Sequence, residues 1–162
     1  MFNIGDRIAY PMHGAGIIKA IEEKELMGTV SQFYLVHIVS EGMDISVPVN
    51  KASESGVRPV VDEAGIELML YSLKGPRGEI IQNWSKRSQD NLRKLKTGDV
   101  EICAHVVRDL TLMDRTKGLS SGEKRMLFGA KNFLISEIMM VRGITKPEAD
   151  DLIEGCIGTD PE

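Results

Sequence analysis

A chain of 162 residues, 42% of them hydrophobic, has enough apolar side chains to bury the core of one medium domain or two small ones. Its formal charge of -4 excludes a protein that coats nucleic acid indiscriminately; MFNIGDRIAYP lacks a secretory pattern, and no apolar run approaches the roughly 20 residues of a membrane span, so a soluble cytoplasmic protein is expected. Cys103 and Cys156 are too far apart for a metal pair and too few for a disulfide framework, and read as reduced thiols.

The first sixty residues read as strands. Ile8-Ala9-Tyr10 stops at Pro11, Gly14-Ala15-Gly16 suggests a turn, and Ile17 to Ile21 follows. Phe33 to Val39 is dense in β-branched and aromatic residues. Glu41-Gly42 then turns into Ile45 to Val49, whose Pro48 suits an edge. Short strands joined by tight turns predict a small, strongly bent barrel of the Tudor or SH3 kind over residues 1–60.

After Arg58-Pro59 the period changes. Ile66, Met69, Leu70 and Leu73 fall at helical spacing, and Gly75-Pro76-Arg77-Gly78 breaks the chain. Ser85 is the expected cap of a second helix running to Gly98, and Asp99 the cap of a third that holds Ile102, Val106, Val107 and Leu110. Ser120-x-x-Glu123 and Thr145-x-x-Glu148 are capping-box signatures for a fourth and a fifth, in which hydroxyl and carboxylate satisfy each other's free backbone amides. Residues 61–162 therefore predict an all-α helical bundle, and the fold class is α+β.

Charge is unevenly spread. From Lys74 to Lys96, seven cations face only Glu79 and Asp90; from Arg115 to Ser136, five face only Glu123; the last stretch, from Glu137, is strongly acidic. The first basic segment holds the only tryptophan, in Gln82-Asn83-Trp84-Ser85-Lys86-Arg87. Lys86 and Arg87 fall in the first turn of the second helix, where cations oppose the helix dipole unless an external anion compensates. A phosphate docked there would meet free amides and two charges, with the indole beside a base step. Two readings of Trp84 stand: a wedge into the DNA minor groove, at roughly a few kcal/mol of unstacking, or a staple that packs the start of the helix onto the bundle. Lys124 and Lys131 are seven apart and share one face of the fourth helix, with Arg125 beside them. They form either a phosphate-tracking stripe or an ordinary solvated face.

Catalysis finds no constellation. His13, His37 and His105 fall on a turn, a strand and a helix without ligand spacing, and Gly118-Leu119-Ser120-Ser121-Gly122-Glu123-Lys124 departs from a nucleotide-binding loop because Glu123 separates glycine from lysine. Asp150, Asp151 and Glu154 lack the glycine turn and ligand ladder of a calcium loop. Neither cofactor nor metal is expected, and the chain is not read as an enzyme.

Four separated motifs carry a family resemblance: Phe2-x-Ile4-Gly5-Asp6-x-Ile8-x-Tyr10-Pro11-x-His13-Gly14, Asn83-Trp84-Ser85-x-Arg87, Val106-Val107-Arg108-Asp109-Leu110, and Leu119-Ser120-x-Gly122-Glu123-Lys124-Arg125-Met126-Leu127. Together they resemble the CarD family of bacterial transcription regulators across nearly the whole chain; transcription-repair coupling factors are similar in the first half only. The resemblance implies an N-terminal Tudor-like domain that binds the RNA polymerase β subunit and a helical domain that touches promoter DNA. In that picture Trp84 wedges into the minor groove at the upstream edge of the melted region and stabilises the open complex; Lys86, Arg87 and Lys124 match basic family positions, and Arg125 and Lys131 extend the patch. The polymerase contact falls at Lys24 and at Ser46, Val47 and Pro48. Arginines are expected at the first two, so Lys24 loses bidentate geometry and Ser46 loses the charge, and the contact would rest more on strand-edge pairing. Gln89 stands where some members carry a lysine. The competing expectation is a protein adaptor on polymerase without DNA contact, in which Trp84 is buried.

Overall fold

The computed structural model describes residues 1–161. Five strands form one antiparallel sheet: β1 (Arg7–Tyr10), β2 (Gly14–Leu26), β3 (Thr29–Ile38), β4 (Met43–Pro48) and β5 (Arg58–Pro59), in the order β4-β3-β2-β1-β5. The strand module is as expected, but the sheet does not close into a barrel. Its two ends, β4 and β5, pair only inward, so β4 keeps an open edge. Alternation drives the burial: Tyr34, Val36 and Ile38 of β3 turn inward onto Ile8, Ile18 and Val47, while Phe33, Leu35 and His37 face outward.

Two local expectations give way. The turn between β1 and β2 is made by Tyr10 to His13, and Gly14 to Gly16 is already strand. Glycine is required at position 16 because a Cβ there would stand 2.3 Å from the His37 carbonyl oxygen. The hairpin of β2 and β3 also runs well beyond Ile21, through Glu22 to Leu26 and back from Thr29, around Met27-Gly28. Both turn residues have positive φ, as a two-residue hairpin loop demands, and Met27 holds that conformation without being glycine.

The helices are α1 (Glu63–Ser72), α2 (Trp84–Lys96), α3 (Val100–Thr116), α4 (Ser121–Arg142) and α5 (Lys146–Cys156). Asp62, Asp99, Ser120 and Thr145 cap α1, α3, α4 and α5 through side-chain oxygens that accept from backbone amides. The cap of α2 is Asn83, which accepts from the Lys86 amide at 3.0 Å; Ser85, the expected cap, lies inside the first turn. Ile66, Met69, Leu73, Val107, Leu110, Leu134, Ile138 and Ile153 form the centre of the bundle, and full burial of such side chains stabilises the fold by roughly 1.5–3 kcal/mol each.

The boundary near residue 60 is crossed by structure. Ala9 of β1 belongs to the helical core, and the Ala15 amide donates to the Ser136 hydroxyl of α4 at 2.8 Å. Arg58 of β5 reaches Glu137 of α4, and Pro11 lies against Gly98 between α2 and α3 so closely that a Cβ there would stand 2.7 Å away.

Candidate nucleic-acid interface

Trp84 opens α2 and is 66% exposed. The ring cannot be a staple sealed into the bundle. The helix turn that carries it is tied from behind. The Arg87 guanidinium, one turn into the same helix, donates from Nε and Nη2 to the two oxygens of Glu123 at 2.8 and 2.9 Å, and from Nη1 to the Ile81 carbonyl at 3.0 Å. One planar fork thus ties the approach to α2, its first turn and the first turn of α4 together. Glu123 is 3% exposed, and Arg87 holds its carboxyl below the usual carboxylate range while Glu123 in turn raises the Arg87 pKa.

This pairing changes two sequence expectations. At Ser120 the reciprocal capping box is not formed: the Ser120 hydroxyl accepts from the Glu123 amide at 3.2 Å and donates to Glu123 Oε1 at 3.3 Å, while both oxygens of the same carboxylate accept from Arg87. Thr145 and Glu148 do form the reciprocal box in α5. Arg87 for its part is spent on Glu123, so its charge is not available to a phosphate as an open cation would be.

Lys86, on α2, and Lys124 and Arg125, on α4, are exposed. Because Arg87 binds Glu123, Lys86 and Lys124 each adjoin one end of that bridge, and both stand at the same end of the bundle as the indole. The first turn of α2 contains no carboxylate, so its positive end adds to the local field. Lys131 differs. It is bound to Asp150 at 2.7 Å and to Glu154, both on α5. Burial works against its charge, but those hydrogen bonds prevail and raise its pKa. The expected stripe of Lys124 and Lys131 is therefore one outward cation and one internal strut.

On the sheet, Lys24 and Ser46 meet across β3: the Lys24 ammonium donates to Ser46 Oγ at 2.8 Å and stands 5.2 Å from the centre of the Phe33 ring. Register places Ser46 opposite Leu35 and Pro48 opposite Phe33 on the outer face. Val47 pairs with Tyr34 and is buried, so its side chain cannot be a surface contact. Phe33 and Leu35 belong to this patch and were missed from sequence; the alternation of β3, with buried Tyr34 and Val36 between them, is the signal that could have found them.

Among the described residues no cluster of three metal-ligating side chains is present and no helix is long and apolar enough to cross a membrane. Cys103 is buried, and burial pushes its thiol up to about 12, which removes it as a nucleophile.

Residues 69–154 match the family profile described as CarD, C-terminal domain, and residues 2–61 match the CarD-like/TRCF RID domain. The chain is 40% identical over 148 residues to the putative transcription factor YdeB of Bacillus subtilis (strain 168), covering 91% of this chain and 97% of that protein. Among solved structures, the N-terminal domain of Myxococcus xanthus CarD, determined by solution NMR, is 32% identical over 36% of this chain and 79% of its own, with a TM-score of 0.32.

Proposed function

The chain belongs to the CarD family, transcription factors that bind RNA polymerase, and from that premise we propose that it stabilises the promoter open complex by placing Trp84 in the minor groove at the upstream edge of the transcription bubble. The sheet module anchors on the polymerase β subunit through the outer patch of Lys24, Phe33, Leu35, Ser46 and Pro48 and the open edge of β4. The helical module then meets promoter DNA with Lys86, Lys124 and Arg125 on phosphates and Trp84 against a base step. Tethering explains how a chain of charge -4 manages with so few open cations, since the anchor raises the local concentration of the wedge at the promoter.

The observation that carries this reading is an exposed indole at the N-terminus of a helix whose first turn is tied to α4 by the Arg87–Glu123 fork. An aromatic wedge must be both free at its tip and rigid at its base, or the energy of unstacking is not returned as contacts. The adaptor reading needed that ring sealed inside the bundle. Trp84→Ala is expected to shorten the lifetime of open complexes on an unstable promoter, measured after challenge with a competitor, while co-purification with polymerase persists. An unchanged lifetime would remove the wedge.

A further inference from the structure

Resting on that reading, we infer that Arg58 and Glu137 are positioning residues: the ion pair of a half-buried Arg58 with a buried Glu137 makes the anchor and the wedge one rigid body, so that the polymerase contact fixes where the helix bearing Trp84 points. Glu137 lies in the last third of α4 with no exposed surface. Its two oxygens accept from Arg58 Nη1 and Nη2 at 2.7 and 2.8 Å, and Oε2 accepts also from the Val61 amide at 2.8 Å. The other edge of the Arg58 guanidinium donates to the Gly98 carbonyl at 3.0 and 2.7 Å, and the group stands over the Phe133 ring, 5.9 Å from its centre. One side chain of the last strand therefore joins the sheet, the α2–α3 turn and α4.

Arg58 cannot be exchanged for a simple cation here. A planar fork satisfies Glu137 and Gly98 at once, whereas an ammonium has no fixed geometry toward either. Net stability is a weak reason for such a pair, because the cost of burying two charges offsets most of their attraction. Orientation is a better one. The Gly98 carbonyl ends the α2–α3 turn, so the fork holds the C-terminal end of the helix whose first residue is the wedge, while Arg87–Glu123 holds its other end. Pro11 packed against Gly98, and the Ala15 amide donating to Ser136, add contacts across the same seam. Both ends of α2 are thus referenced to α4, and α4 to the sheet.

The test uses the full chain. Spin labels at Met43→Cys and Gln89→Cys, in a Cys156→Ser background, report the distance between β4 and α2. Without further change they should give one narrow distance distribution; Glu137→Gln should broaden it, retain polymerase binding, and reduce the lengthening of open-complex lifetime by about three- to thirty-fold. Arg58→Lys, which keeps a charge opposite Glu137, should give an intermediate broadening and loss. A narrow distribution in Glu137→Gln, or a lifetime gain that survives a broadened one, overturns the proposal. Should the unmodified protein not lengthen open-complex lifetime at all, the wedge function falls instead, and the lock is decided by the distance distributions alone.

Discussion

Lys124 and Lys131 lie on one face of one helix, yet they do opposite things. Lys124 is exposed next to Glu123 of the Arg87–Glu123 fork, while Lys131 is folded onto Asp150 and Glu154 of α5. Helical spacing told which side of α4 they share, and nothing about what the next helix would bring to that side. The same contrast separates Lys86 from Arg87: neighbours in sequence, one facing solvent and one locked to a buried carboxylate. A basic segment is therefore an upper bound on a basic surface. The proposed DNA contact is left with a small patch at one end of the bundle.

The contrast can be attacked at its strongest point first. Arg87→Ala leaves Glu123 buried without its partner, and unfolding by denaturant should show a loss of roughly 3 kcal/mol, with Trp84 activity failing alongside. A loss no larger than that of an exposed pair would mean that the fork is not what holds α2. Acid should act on the same pair. The folded-state pKa of Glu123 is depressed chiefly by its hydrogen bond to Arg87, so the pair's contribution is present above the ordinary carboxylate range and is lost as pH falls through the folded value. Stability measured from neutral to strongly acidic pH should fall less steeply in Glu123→Gln than in the unmodified protein.

Next in size is Lys124→Glu. It should weaken promoter complexes by about 1 kcal/mol or more, and Lys124→Gln should lower the salt slope by about one unit. Binding measured across a salt series checks both. Lys131→Gln is the smallest case. Its pairs have half-open acidic partners, so stability should change by less than about 1 kcal/mol, and the salt slope of DNA binding should not move. If Lys131→Gln lowered that slope as Lys124→Gln does, the division between outward cation and internal strut would fail.

The parts of this molecule that sequence made legible are the local ones. Asp99, Ser120 and Thr145 cap their helices because a cap needs only its own next three residues. The strand segments around Ile8, from Ile17 to Ile21 and from Phe33 to Val39 were legible because β-branched and aromatic content is a property of the segment itself. Asn83, and not the expected Ser85, caps α2, because both are good acceptors and the choice turns on where the extended approach ends. The remaining misses are non-local. β5 is two residues long and exists only because Ile8 and Ala9 pair with it. An open sheet rather than a barrel depends on whether β4 and β5 meet, which no turn signal records. Glu123 and Arg87 are 36 apart, and Arg58 and Glu137 are 79 apart, so no local pattern pairs them. Trp84 was singled out from sequence, whereas its exposure needed coordinates.

The most direct measurement replaces Trp84 by a photo-crosslinking phenylalanine analogue and maps its adducts in polymerase–promoter complexes. The account predicts crosslinks to bases at the upstream boundary of the melted region, absent when polymerase is omitted at the same protein concentration. Adducts confined to polymerase, or scattered along duplex DNA with no preference for that boundary, would contradict it.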